Sequence, residues 1–189
     1  MTTTTPSATR PFADIGEIRQ TVDAVTANRE LGKVTFTMTA DATGGIASSI
    51  RTGALIQGGV ADTSREGKFS ATSDEPVALM GADTGISPAE YILTGLAGCY
   101  TVTLASLAAS RGITLDEVRL SLGFDIDLSG FLGIDSTVRK GAQGITVDVE
   151  IDSPDATRDQ LDALIASLEA TSPIRDTIAN PVKVTTVLH

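Results

Sequence analysis

Residues 87–112 read SPAEYILTGLAGCYTVTLASLAASRG, and this stretch decides the fold. It carries no charge from Tyr91 to Ser110 and holds the chain's single cysteine, Cys99. Its start is legible as hydrogen-bond chemistry. Ser87 is a good N-cap, because its hydroxyl can accept from an amide of the first turn that has no helical partner. Pro88 suits the first helical position, where its missing N–H costs nothing. Glu90, three residues after Ser87, completes a capping box. Gly112, just past Arg111, suits the stop. Helical spacing sets Ile92, Leu96, Cys99, Thr103 and Leu107 on one side, with Leu93, Tyr100, Leu104 and Ala108 beside them. Gly95 and Gly98 each cost roughly 1 kcal/mol relative to alanine within a helix, which points to a packing or access requirement. A run of about 20 apolar residues would span a bilayer. Here five threonine and serine hydroxyls dilute the apolarity and no basic cluster flanks it, so the stretch reads as the central helix of a soluble fold.

The chain has 189 residues, a length that suits one domain with a sizeable core. Its net charge of −10 opposes nucleic acid and anionic membranes as partners. One cysteine excludes an internal disulfide framework and fits a reducing cytoplasm. Residues 1–12 are threonine-rich, lack the apolar core of a secretory signal, and read as a disordered leader. Residues 13–189 read as a single domain with an extra N-terminal helix at 13–30.

Around the central helix the pattern is mixed. Ile15, Ile18, Val22 and Val25 share a helical face that Gly32 ends. Val34, Phe36 and Met38 alternate with threonines as a strand does. A second strand follows over 46–56 and a third over 68–72. Beyond Gly112, Leu120, Leu122, Phe124, Ile126 and Leu128 alternate with polar residues, as do Ile145, Val147, Val149 and Ile151, with a hairpin loop over 130–144. Thr157 and Gln160 form a capping box for a helix using Leu161, Leu164, Ile165 and Leu168. Ser172-Pro173 opens a short helical turn, and 182–188 reads as a last strand. The expected class is α+β: a mostly antiparallel sheet packed on one deeply buried long helix.

These residues resemble the OsmC/Ohr family over roughly residues 33–188. The resemblance rests on the order of elements and three local patterns: the Glu75-Pro76 loop running to Gly81 and Asp83, the segment SPAEYILTGLAGC with Cys99 at the family's nucleophile position, and the Ser172-Pro173 turn. It implies the OsmC-like fold as an intertwined homodimer with active sites at the interface. It also implies reduction of organic hydroperoxides by a two-cysteine mechanism. The chain departs from that pattern at three places. Ser172 stands where the resolving cysteine would, Ala89 where the peroxidases carry a glutamate, and the uncharged 77–80 stretch, with Leu79, where they carry an arginine.

A reactive Cys99 needs a positive neighbour to stabilise its thiolate. Arg111 is about 18 Å along the helix axis and cannot reach it within one chain. Among Arg51, Arg65, Lys68, Arg139 and Lys140, Arg51 on a strand is the choice, brought over by a dimer. Two readings stand. In one, Cys99 attacks a hydroperoxide and an external thiol resolves the sulfenic acid. In the other, the dimer is not an enzyme, the surface under Gly95 and Gly98 binds a small apolar ligand, and Cys99 is packing. No cofactor and no metal site are expected. The only histidine is His189, and Asp125, Asp127, Asp148, Glu150 and Asp152 read as solvated strand faces.

Overall fold

The computed structural model describes residues 11–188, so most of the expected leader, and His189, lie outside the described residues. The chain forms two compact units: Gly16–Ile92, and the residues from Leu93 onward together with the segment ending at Ile15.

In the unit 16–92, helix α1 (Ile15–Ala27) forms where the helical spacing placed it, and it buries no residue. A 3-10 turn, Arg29–Gly32, follows; the Asn28 side chain caps it by accepting from the Glu30 N–H. Strands β1 (Val34–Gly44), β2 (Ala47–Gln57), β3 (Val60–Asp62) and β4 (Ser70–Ser73) make an antiparallel sheet around β2. β1 takes one edge of β2, while β3 pairs with its end at Leu55–Gln57 and β4 with its start at 48–51. β3 was not expected, since three residues are too few for alternation to register. Every residue of β1 is exposed, including Phe36 at 79% and Met38 at 66%.

The loop after β4 winds around one carboxylate. Asp74 is buried, and its two oxygens accept from the amides of Glu75, Ala82 and Thr84 and from the Thr84 hydroxyl. Gly81 is required there, because a Cβ would sit 1.7 Å from the Glu75 carbonyl oxygen. The loop delivers Ser87 to the start of α2 (Pro88–Arg111). The expected capping box is present: the Ser87 hydroxyl accepts from the Glu90 amide at 3.3 Å, and the Glu90 carboxylate accepts from the Ser87 amide at 2.7 Å.

In the unit from Leu93 onward, α2 buries a single stripe, Leu96, Tyr100, Leu104 and Ala108, with Ala105 beside it. The expected long helix therefore packs through one face. Small and apolar residues ring the helix, so its sequence did not single out the buried face. By length and composition α2 could cross a bilayer, a test that a core helix also passes. Gly112 ends it at φ +68°, which lets the Ile113 amide reach back to the Ala108 carbonyl at 2.9 Å.

Strands β5 (Glu117–Asp125) and β6 (Gly144–Asp152) pair antiparallel, setting Leu120 opposite Val149 and Leu122 opposite Val147. These inward residues pack on a core of Leu96, Tyr100, Leu104, Ala108, Leu115, Leu164 and Leu168. The strand expected to run to Leu128 stops at Asp125, because the Asp127 side chain caps a short helix, α3 (Leu128–Phe131), by accepting from the Ser129 N–H. Helix α4 (Arg158–Thr171) starts from the expected Thr157–Gln160 box and buries Leu164 and Leu168 completely. Each such leucine contributes roughly 1.5–3 kcal/mol by leaving water. Helix α5 (Pro173–Ala179) follows immediately. The last strand expected over 182–188 is absent among the described residues, with Val184 at 83% and Leu188 at 98% exposure. Alternation makes a segment fit for a strand, but a strand also needs a backbone to pair with, and none meets this one.

Candidate active site around Cys99

Cys99 projects from the middle of α2, half-buried, one position before the core residue Tyr100. Its sulfur lies 3.2 Å from the Ser172 hydroxyl oxygen and 4.0 Å from that of Thr103, one helical turn on. Ser172 is 1% exposed. It ends α4, with its amide donating to the Leu168 carbonyl, and it begins α5, with its hydroxyl accepting from the Arg175 amide at 3.3 Å. Pro173 occupies the first position of α5. A hydroxyl has one hydrogen and two lone pairs. Accepting from Arg175 leaves the Ser172 hydrogen available to the sulfur. The position that the resemblance gives to a second sulfur thus touches Cys99, and an oxygen occupies it.

The sulfur opens on a groove of about 630 Å³ along α2. Gly95, Gly98, Val102 and Leu107 line it on the helix side, and Pro173 and Ile174 on the other. A Cβ at Gly95 or Gly98 would meet nothing within 4 Å, so these glycines leave room for access rather than for tight packing in this chain. A substrate with an apolar body can reach the sulfur along this face.

The other residues singled out in the sequence stand elsewhere. Arg51 is on β2, and its guanidinium lies 3.7 Å from the Asp41 carboxylate in an exposed pair. Such a pair contributes at most about 1 kcal/mol. Leu79 closes a 3-10 turn, Val77–Leu79, and Ala89 lies in the first turn of α2. Glu90 is engaged in the capping box. Among the described residues, the polar partners of the sulfur are the two hydroxyls.

Arg175 is the cation that sequence reasoning missed. Its guanidinium donates to the Glu169 carbonyl at 3.1 Å, and its charge acts on the Tyr100 phenol. Burial pushes the Tyr100 phenol above its usual range, opposed by the Arg175 charge. The signal available in the sequence was spacing: Arg175 lies three residues beyond Ser172, and so on the next turn of any helix begun there.

A family model described as OsmC-like protein matches residues 81–187. No curated protein matches the sequence. Solved structures share the fold at low identity. The OsmC-like protein of Mycoplasma pneumoniae aligns with a TM-score of 0.59 and 18% identity, covering 77% of this chain and 87% of that one. An OsmC-like protein of unknown function from Vibrio cholerae aligns at 0.58 and 7% identity, covering 76% and 92%. The organic hydroperoxide resistance protein OsmC of Legionella pneumophila aligns at 0.54 and 17% identity, covering 76% and 88%. With more than half the chain matched by the family model, and antiparallel sheets and helices shared with these structures, the chain belongs to the OsmC-like protein family.

Proposed function

We propose that this protein reduces organic hydroperoxides through Cys99, using an external thiol to restore the sulfur. The observation that carries this reading is the half-buried Cys99 sulfur opening on an apolar groove with the Ser172 hydroxyl 3.2 Å away. The thiolate attacks the distal peroxide oxygen. The O–O bond breaks, the alcohol leaves with a proton from solvent, and the sulfur becomes a sulfenic acid. Two equivalents of external thiol then return it to the thiol, releasing a disulfide and water. The Ser172 hydrogen can donate to the negative sulfur before the attack and to the sulfenate oxygen after it. Ser172 cannot form a disulfide, so resolution comes from outside the chain.

Arg51, carried by a second copy, is the proposed cation of the site. Its exposure and its weak link to Asp41 leave it available. The homodimer is supported by β1, whose exposed Val34, Phe36 and Met38 suit a covered interface better than water. The acidic charge, −10 overall, argues against nucleic acid and anionic membrane as partners, and a reducing cytoplasm is the proposed compartment.

Purified protein given an alkyl hydroperoxide and a dithiol should consume peroxide, and Cys99→Ser should not. Equal consumption by both would refute the role of Cys99. A second reading, a non-enzymatic dimer binding a small apolar ligand in the groove, is favoured by the open face at Gly95 and Gly98. It predicts a sulfur that stays unoxidised under hydroperoxide and slow to alkylate in the folded protein.

A further inference from the structure

We propose that a second cavity, between α2, β6 and α5, binds a small carboxylate with an apolar tail. This cavity measures about 560 Å³, within the range of small-molecule sites. Two arginines, Arg139 and Arg175, line it together with Tyr100 and Asn180. Leu96, Ile145 and Val147 form its apolar wall. No aspartate or glutamate lines it, in a chain with 24 acidic residues against 14 lysines and arginines. Neither Arg139 nor Arg175 forms an ion pair among the described residues. Glu169 acts on Tyr100 through its charge, yet it does not line the cavity.

One of the donors is also held in place. Arg175 has five N–H groups and engages the Glu169 carbonyl, which leaves others for a ligand. The Tyr100 hydroxyl carries a hydrogen of its own to give. Tyr100 is 6% exposed, and burial keeps its phenol protonated at neutral pH. Two guanidiniums and a phenol O–H beside an aliphatic wall match a carboxylate head on a hydrocarbon body. This site does not depend on Cys99 being reactive, since none of its groups is the sulfur.

Titration calorimetry of the full chain with octanoate, and with neutral octanamide as the isosteric control, tests this. Octanoate should saturate one site, and octanamide should bind at least about tenfold more weakly, as expected for a charge-assisted hydrogen bond lost. Arg139→Gln, at an exposed position, should weaken octanoate at least about tenfold while leaving the circular dichroism spectrum unchanged. Cys99→Ser and Val102→Asp, the latter in the groove beside the sulfur, should bind octanoate as the unmodified protein does. Equal binding of octanoate and octanamide would overturn the proposal, as would indifference to Arg139→Gln. Loss of binding in Val102→Asp alone would place the ligand in the groove and overturn it too, and so would the absence of saturable binding.

Discussion

Replacing Ser172 by cysteine tests the contact at the centre of the site. The Ser172 oxygen is 3.2 Å from the Cys99 sulfur across 73 residues of sequence. A disulfide needs the sulfurs at about 2.0 Å, so the side chains must close by about 1 Å, within the reach of small rotations about their Cα–Cβ bonds. Closing a loop of this length removes chain entropy worth about 4.4 kcal/mol from the unfolded state. The substitution also removes the hydroxyl that accepts from the Arg175 amide, a cap worth about 1 kcal/mol. The net gain of the oxidised over the unmodified protein is about 3 kcal/mol, or a rise in Tm of about 6–12 °C for a chain of this size. One equivalent of alkyl hydroperoxide should consume both thiols of Ser172→Cys, and the melting curve should fall back when dithiothreitol is added. Thiols that persist after oxidation, or oxidised and reduced samples that melt together, would refute the geometry.

Leu104 is fully buried in the core, and Leu104→Ala should cost about 2–5 kcal/mol, seen as a lower urea midpoint at unchanged slope. Asp74 is held below the usual carboxylate range, first by the Thr84 hydroxyl and then by the Thr84, Glu75 and Ala82 amides, against the opposing effect of burial. Its folded pKa lies below the unfolded value near ~3.9, so its contribution is complete above that value and is lost as pH falls through the folded one. Asp74→Asn should accordingly flatten the acid limb of the urea midpoint plotted against pH, and an unaltered limb would count against this assignment. Gly81→Ala would force a Cβ into the Glu75 carbonyl, costing at least about 2 kcal/mol and speeding hydrogen exchange at the Ala82 and Thr84 amides.

What could be read from sequence alone was whatever short-range chemistry decides. The caps of α2 and α4 are hydrogen bonds between residues three apart, and both formed as expected. The alternation in β5 and β6 gave those strands and their inward faces, but it ran on through Ile126 and Leu128, where the Asp127 cap starts a helix instead. The buried face of α2 was not legible, because Leu96, Tyr100, Leu104 and Ala108 are no more apolar than their neighbours. The segment 182–188 alternates as well as β6 does, yet alternation cannot name a pairing partner. The nearness of Ser172 to Cys99 came only through the family resemblance. Arg175 was not legible as part of a site because its nearness to Tyr100 joins α5 to α2, elements far apart in the sequence, and no local pattern announces that meeting.

The turn from α4 into α5 rests on Ser172, whose oxygen faces the cysteine on one side and an amide hydrogen on the other. Any atom attached to the sulfur changes what the Ser172 hydrogen is given to. Alkylation or oxygenation at Cys99 would then alter the oxygen that caps α5, and the Arg175 N–H resonance would report covalent events at the sulfur without a probe attached to it.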